Sequence, residues 1–435
     1  MNMNAITDSN TPRKRKIFYG WWIVLVSAVL SFINGGTFYY GFTVFFNPIR
    51  ETFNWTSAET SIAFTVQRLE SGIASPIVGF LVDRIGPRKL MVGGWILVGF
   101  GFLLMSRINS LWTFVATFIV VSIGFSFGSF VTVNATIANW FNKKRSRALT
   151  TVYVGYGICG LIVPLLALAV TNFGWRETLT VVAIACWVIG IPLSLLMRHK
   201  PNAYGYLPDG ERPDKTVDNT TEKTLANEPA RLDTGLTVKE ALKTRAFWFI
   251  AFALFFQQIG QSALTVHIVP YLESVNIPTQ MAALTVTGLT IVSLIGRFGF
   301  GFLGDFKNKR YLIAIAFALQ IVGIFIFSLI EAERIWLIPV FLLVFAVGYG
   351  GPLPLRPALQ ADFFGTRNFG AIMGLMSVII MISSLSTPVI AGWIFDKTQS
   401  YRLAWQLFAL ASIPAVPMIL LAKSPLEIHS KKQNM

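Results

Sequence analysis

The chain has 435 residues, of which 54% are hydrophobic and 13% are charged, and its formal net charge is +15. A water-soluble domain carries about a quarter charged residues, so this composition excludes an ordinary soluble protein. A net positive charge can indicate nucleic-acid binding. Here most Lys and Arg lie in the connections between long apolar runs. We therefore do not expect this protein to bind nucleic acid.

Apolar runs of roughly 20 residues, long enough to cross the hydrocarbon core of a bilayer, recur along the chain. They predict an all-α membrane protein with twelve transmembrane helices. Thr56 and Glu59 form a capping-box pattern at the start of the second run, and Gly86 with Pro87 breaks the chain after it. The predicted spans are 18–46, 57–82, 90–106, 111–139, 148–171, 178–197, 246–271, 281–303, 311–330, 335–357, 369–393 and 403–422.

Residues 198–245 are a clear break in composition, because they are rich in polar residues and Pro and poor in apolar ones. Such a segment predicts a linker, and Thr237 with Glu240 predicts the cap of a short helix before span seven. Lys and Arg are concentrated on the membrane side that holds this linker, so we expect a multi-pass protein of the plasma (inner) membrane with both termini cytoplasmic. The predicted divisions are a tail at 1–17, a six-helix half at 18–197, the linker at 198–245, a second six-helix half at 246–422 and a tail at 423–435.

Two motifs of the first half recur in the second half. Residues 79–83 read GFLVD and residues 301–305 read GFLGD, and residues 140–143 align with 363–366 at nearly the same offset. Two half-chains related by an axis along the membrane normal, with a site between them, is an arrangement typical of secondary transporters. The repeat therefore predicts a carrier.

Residues 79–89, which read GFLVDRIGPRK, resemble the loop 2–3 signature of the major facilitator superfamily. The resemblance covers essentially the whole chain and implies the major facilitator fold, with two pseudo-symmetric six-helix halves. Residues 140–145 followed by 155–160 are similar to the span-five motif of the monocarboxylate and oxalate–formate branch. Residues 297–305 (RFGFGFLGD) resemble the span-eight segment of that branch, which implies that Arg297 holds the carboxylate of the substrate.

Three positions depart from the pattern of that branch. Vertebrate monocarboxylate carriers have a lysine near the end of span one, where this chain has Tyr40, and an aspartate where this chain has Ser293. The lysine that the oxalate carrier has in span eleven falls on Met376. We therefore do not expect a lactate-type proton mechanism to be retained intact, and we expect a monocarboxylate rather than a dicarboxylate such as oxalate.

Charged side chains inside a span cost several kcal/mol each, so they indicate functional positions. At about 1.5 Å per residue, Arg297 lies roughly 12 Å from Asp305, near the membrane midplane. Its guanidinium stays charged and offers paired donors to a carboxylate, so we expect Arg297 to bind an anion. A structural ion pair with Glu70 is the alternative. Arg356, roughly 9 Å before Asp362, is expected at the cytoplasmic gate, with a place on the path of the anion as the alternative.

Arg68 lies in span two and is a second candidate for substrate binding. Arg68 and Glu70 leave a helix about 200° apart, so they cannot both face one cavity directly. Glu70 is the first candidate proton carrier, and a helix-packing ion pair is the alternative for it. Histidine is the side chain suited to proton exchange near neutral pH, so His267 is the second proton-coupling candidate, with a hydrogen-bonding role at a span end as the alternative.

The remaining candidates fall into two groups. Polar and aromatic positions within spans could line a substrate cavity or serve helix packing; those assigned to the substrate site are Tyr40, Asn134, Tyr153 and Tyr156. The resemblance implies that charged residues at helix ends stabilise one state of a gate without touching substrate. The residues assigned to the gate are Asp83, Arg84, Arg88, Asp305, Arg356 and Asp362.

Together these features predict a secondary active transporter of a small organic anion, foremost a monocarboxylate, that works by alternating access with proton coupling or exchange. The alternatives are an efflux carrier of a hydrophobic drug or metabolite on the same fold, and a non-transporting membrane sensor. The sequence has no Walker-type phosphate loop and little to bind a metal, so no cofactor, metal or enzyme activity is expected. The expected partners are a small-molecule carboxylate, protons and the lipid bilayer, and the chain is expected to be a monomer.

Overall fold

The computed structural model describes residues 18–128, 130–210 and 235–426, without the side chains of residues 57, 58, 61, 63–65, 68, 279 and 283. The predicted tail at 1–17, the middle of the predicted linker and most of the predicted tail at 423–435 therefore lie outside the described residues. Within the described ranges, eleven helices are long and apolar enough to cross a membrane. A further helix, Ser57–Ile85, has 29 residues and contains Glu70 in its middle. The prediction of an all-α membrane protein is confirmed.

We number the long helices α1 to α12 in chain order. They are α1 (Tyr19–Phe53), α2 (Ser57–Ile85), α3 (Pro87–Met105), α4 (Leu111–Trp140), α5 (Arg145–Phe173), α6 (Trp175–Leu195), α7 (Arg245–Ser274), α8 (Gln280–Leu303), α9 (Lys309–Phe327), α10 (Leu337–Phe364), α11 (Phe369–Thr398) and α12 (Arg402–Leu421).

Two helices run furthest past their predicted ends, by seven residues each. The sequence predicted the end of α1 at residue 46 and that of α10 at residue 357, but the helices continue to Phe53 and Phe364. Pro48 and Pro357 lie inside these helices. Proline is tolerated within membrane helices because neighbouring helices and side chains satisfy the freed backbone groups.

Several of the long helices are locally irregular. The segment Gly35–Tyr39 of α1 and the segment Leu342–Ala346 of α10 are π-helical, and Cys159–Leu161 forms a 3-10 turn within α5. Such turns are frequent at functional sites because they reposition the side chains beside them. Tyr40 and Tyr156 lie within three residues of these segments along the chain.

Both predicted capping boxes are present. Thr56 Oγ1 accepts a hydrogen bond from Glu59 N at 3.2 Å, and Glu59 Oε2 accepts one from Thr56 N at 2.8 Å. Thr237 and Glu240 make the same exchange at the start of a short helix, Val238–Lys243. The short helix leads directly into α7, as predicted.

Each half is packed around its own apolar side chains, and a smaller cluster joins the halves. The cluster between the halves includes Val82 and Val131 from the first half and Ala361 and Phe369 from the second. It lies where α2 ends and α11 begins, beside the first residues of the linker. We call this end of the bundle the linker end, and the opposite end the far end.

Helices α2 and α11 approach closely at the linker end because glycine faces glycine there. A Cβ atom on Gly79 would overlap the carbonyl oxygen of Gly370, and one on Gly370 would lie 2.6 Å from the carbonyl oxygen of Gly79. Small residues allow such contact between membrane helices. This glycine–glycine contact forms only when the two halves are packed against each other at the linker end.

We expect Gly79→Val to destabilise the protein by about 1–3 kcal/mol, because the added side chain forces these two backbones apart. Gly93→Val is the matched control, since a Cβ on Gly93 would meet no described atom within 4 Å. Thermal unfolding of both purified variants in detergent tests this expectation. Equal melting temperatures for the two variants would contradict it.

Candidate functional site

A cavity of about 240 Å³ lies between the two halves of the bundle. The first half contributes aromatic side chains to its wall, and the second half contributes two guanidinium groups, an amide and apolar side chains. The first-half lining residues are Tyr40, Phe130, Tyr153 and Tyr156. The second-half lining residues include Arg297, Tyr349, Arg356, Gln360, Met373 and Met376. The described lining residues include no Asp or Glu, so the charge of this wall is positive.

Arg297 lies on α8 and reaches across the interface between the halves. Its side chain is buried, with 4% of the residue exposed, and Nη1 donates a hydrogen bond to the carbonyl oxygen of Tyr153 at 2.6 Å. Its Nε is buried and has no acceptor among the described residues. A Cβ on Gly157 would overlap Nη1, so that glycine leaves the space that the guanidinium occupies.

The structural alternative for Arg297, an ion pair with Glu70, is not formed between the described side chains. Glu70 Oε2 instead accepts a hydrogen bond from Ser126 Oγ at 3.2 Å, within the first half. Glu70 Oε1 is buried and has no hydrogen-bond partner among the described atoms. The guanidinium of Arg297 therefore has N–H donors that can bind a ligand in the cavity.

Arg356 lines the cavity beside Arg297, whereas we had assigned it to the gate as a neighbour of Asp362. Asp362 is paired instead with Arg145 at 2.6 Å and with Lys309 at 2.7 Å. Six residues make about one and two-thirds turns of a helix, so Arg356 and Asp362 leave α10 on different faces. That rotation explains why the expected position at the gate was wrong.

The aromatic wall is built from stacked rings. Phe130 and Tyr153 stack with their ring centroids 5.2 Å apart and their planes 6° from parallel, and Tyr156 meets Phe130 edge-on at 5.0 Å. Asn134 is fully buried and donates a hydrogen bond from Nδ2 to the Tyr153 hydroxyl at 3.0 Å. Asn134 was predicted to line the cavity, but it lies behind the lining residues. Its hydrogen bond orients the ring of Tyr153.

His267, the second proton-coupling candidate, is not among the described lining residues of the cavity. The side chain of Arg68 is outside the described part of the chain. His267 Nε2 lies 2.9 Å from the carbonyl oxygen of Pro388, and Nδ1 lies 3.2 Å from the Tyr401 hydroxyl. Since a carbonyl only accepts, Nε2 donates to Pro388, and both contacts fit the hydrogen-bonding alternative that the sequence left open.

Ion pairs between the halves close the linker end. Arg145 binds Asp362, and Arg147 Nε lies 2.5 Å from Asp305 Oδ2. The side chain of Asp305 is 1% exposed and that of Arg147 is 35% exposed, so the carboxylate is removed from solvent while the guanidinium stays partly hydrated. The predicted gate residues Asp305 and Asp362 therefore pair with Arg147 and Arg145 in the first turn of α5, which we interpreted only as loop charges from the sequence, and Asp362 pairs with Lys309 as well.

The two repeated aspartates occupy equivalent positions. Asp83, at the end of α2, accepts hydrogen bonds from the backbone N of Gly370 at 3.2 Å and of Ala371 at 3.0 Å, in the first turn of α11. Asp305, after α8, accepts one from the backbone N of Ser146 at 2.9 Å, in the first turn of α5. A carboxylate at a helix N-terminus satisfies free N–H groups and interacts favourably with the helix dipole.

Arg84 and Arg88, which we also assigned to the gate, are exposed. Arg84 lies over the ring of Phe80 at 5.9 Å, and among the described residues neither arginine has a carboxylate partner in the other half. The same described ranges contain no group of three His, Cys, Asp or Glu side chains that could hold a metal ion. The geometry is that of a cationic cavity closed at one end by charge pairs.

Comparison with known proteins identifies relatives along the whole chain. The family model of the Major Facilitator Superfamily matches residues 24–330 and 250–434. Monocarboxylate transporter 12 of Mus musculus is 24% identical over 408 residues, which cover 91% of this chain and 84% of that protein. The oxalate:formate antiporter of Oxalobacter formigenes is 24% identical over 357 residues, 80% of each chain. The structure of the proton:xylose symporter XylE bound to 6-bromo-6-deoxy-D-glucose has a TM-score of 0.70, covers 93% of this chain and 96% of that chain, and at 14% identity shows the fold alone.

Proposed function

The chain belongs to the Major Facilitator Superfamily and is a multi-pass membrane transporter, and we propose that it carries a small organic anion by secondary active transport. The observation that supports this cargo is the buried guanidinium of Arg297, which has no carboxylate partner among the described residues. A buried cation without a counter-ion is destabilising. An anionic substrate supplies that counter-ion when it binds.

The cavity and the closed linker end fit one state of an alternating-access cycle. Tyr39 and Tyr40, on the far-end side of the cavity, are 57% and 42% exposed, whereas charge pairs seal the linker end. A substrate thus reaches Arg297 from the far end, and rocking of the halves breaks the charge pairs and releases it at the linker end. We place the linker end on the cytoplasmic side of the plasma membrane, because Lys and Arg are concentrated there.

A single carboxylate is enough to satisfy Arg297, and one relative is named a monocarboxylate transporter. Monocarboxylates are therefore the first substrate class to test. Counterflow into proteoliposomes across a panel of two- to six-carbon carboxylates, with sugars and lipophilic cations as other arms, tests the proposal. Exchange confined to carboxylates supports it, and exchange confined to a neutral or cationic arm would refute it.

Proton coupling is assigned to Glu70, because one of its oxygens is buried without a partner among the described atoms. We expect Glu70→Gln to abolish the acceleration of uptake by a pH gradient while retaining exchange at equal pH. The reason is that glutamine keeps the shape and the hydrogen bond to Ser126 but cannot exchange a proton. His267→Gln is the control, and a pH response that survives in Glu70→Gln but disappears in His267→Gln would move the role to His267.

A further inference from the structure

The cavity contains a second unpaired cation that a single carboxylate leaves without a counter-ion. Arg356 has no ion pair or hydrogen bond among the described residues, although it is only partly exposed and lines the same cavity as Arg297. The expectation of a monocarboxylate rested on Met376, which stands where the oxalate carrier has a lysine in span eleven. Two guanidinium groups in one space of low dielectric repel each other, and each has lost part of its hydration.

The two arginines lie at similar depth. Arg297 lies six residues before the end of α8 at Leu303, and Arg356 lies eight residues before the end of α10 at Phe364, which is about 9 Å and about 12 Å along the helices. Beyond these ends, Asp305 and Asp362 bind arginines in the first turn of α5 at the linker end. The Cα atoms of the two arginines therefore differ in depth by about 3 Å along the bundle axis, and both side chains line one cavity, so one ligand can contact both.

Both arginines also belong to the second half, on α8 and α10, so they move together when the halves rock. The opposite wall carries the stacked rings of Phe130 and Tyr153, which offer an apolar face. The described lining residues supply no acidic side chain to neutralise either arginine. A ligand that is complementary to this cavity has two negative groups, which contact the arginines of the second half. Its carbon skeleton packs against the aromatic rings of the first half.

We propose that the substrate is a dicarboxylate, with one carboxylate on Arg297 and the other on Arg356. The proposal rests on the anion-transport function proposed above and specifies its substrate class. The cavity volume of about 240 Å³ corresponds to roughly eight water molecules. A four- to six-carbon dicarboxylate fits within that volume and leaves room for a few water molecules.

The test compares succinate with butyrate, which have the same number of carbons and differ in the second carboxylate. Thermal stabilisation and half-saturating concentrations for counterflow are measured for the wild-type protein, Arg356→Gln, Arg356→Lys and the exposed control Arg107→Gln. We expect the wild-type protein to favour succinate by about tenfold or more. Arg356→Gln is expected to lose that preference through weaker succinate binding with butyrate nearly unchanged, whereas Arg356→Lys and Arg107→Gln are expected to keep it.

Other results separate this inference from the function on which it rests. If butyrate is exchanged at least as well as succinate, or if Arg356→Gln weakens both equally, the dicarboxylate inference is overturned and anion transport stands. If the folded wild-type protein exchanges neither compound nor any other carboxylate, both proposals are overturned. Size-exclusion profiles and melting temperatures show whether each variant is folded.

Discussion

Arg297→Ala is expected to reduce the affinity for a carboxylate substrate by at least about 30-fold, the effect of losing about 2 kcal/mol or more from a buried charge pair. Arg297→Lys is expected to recover only part of this loss, because an ammonium group lacks the planar fork that binds both carboxylate oxygens. Initial rates of counterflow in proteoliposomes measure both effects. Arg107→Ala, at an exposed position on the same protein, serves as the control.

A stability measurement separates substrate binding by Arg297 from a structural role. If Arg297 is a cation kept without a counter-ion, Arg297→Gln keeps or raises the melting temperature in the absence of substrate while transport is lost. If Arg297 instead forms a structural ion pair, removal of the charge leaves a buried carboxylate alone and costs about 3–5 kcal/mol. Arg297→Gln also removes the hydrogen bond to the Tyr153 carbonyl, worth about 1.5–3 kcal/mol at most, so only a loss of stability larger than that would contradict the binding role.

Asp305→Asn is expected to shift the protein towards a state that is open at the linker end. The substitution removes the charge that pairs with Arg147 across the halves, where the Asp305 side chain is 1% exposed. Because Arg147 is 35% exposed and remains partly hydrated, losing this charged hydrogen bond is expected to cost about 1.5–3 kcal/mol, which is a change of roughly 10- to 100-fold in a two-state equilibrium. We expect net transport to fall because one state becomes too stable.

Spin labels placed at Lys143 and Arg367 test this shift, since these exposed residues lie on the equivalent α4–α5 and α10–α11 turns. Double electron–electron resonance on a background without the buried Cys159 and Cys186 should show longer distances in Asp305→Asn than in the wild-type protein. Asp396→Asn, an exposed position at the far end, should leave the distances unchanged. Identical distance distributions in all three proteins would refute a role of Asp305 in closing the linker end.

The long helices and the depth of each charged residue could be predicted from the sequence, because both follow from run length and rise per residue. Arg297 was placed near the midplane in this way, and the structure locates it in the cavity between the halves. The direction in which a side chain leaves its helix was harder to predict from the sequence. Arg356 was wrongly assigned to the gate for that reason.

Contacts between segments far apart in the chain could not be predicted from the sequence either. Arg145 and Arg147 looked like ordinary basic loop residues, and only the approach of the halves reveals their carboxylate partners, Asp362 and Asp305. Asn134 is polar and lies within a span, which is equally compatible with lining a cavity and with orienting a ring. Its bond to the Tyr153 hydroxyl decides between the two.

The most direct test of anion binding is an experimental structure of the protein with succinate or butyrate bound. We expect a carboxylate oxygen at about 2.7–2.9 Å from a guanidinium nitrogen of Arg297, the distance of a charge-assisted hydrogen bond. A guest bound elsewhere, or an Arg297 side chain locked to a carboxylate of the protein itself, would contradict it.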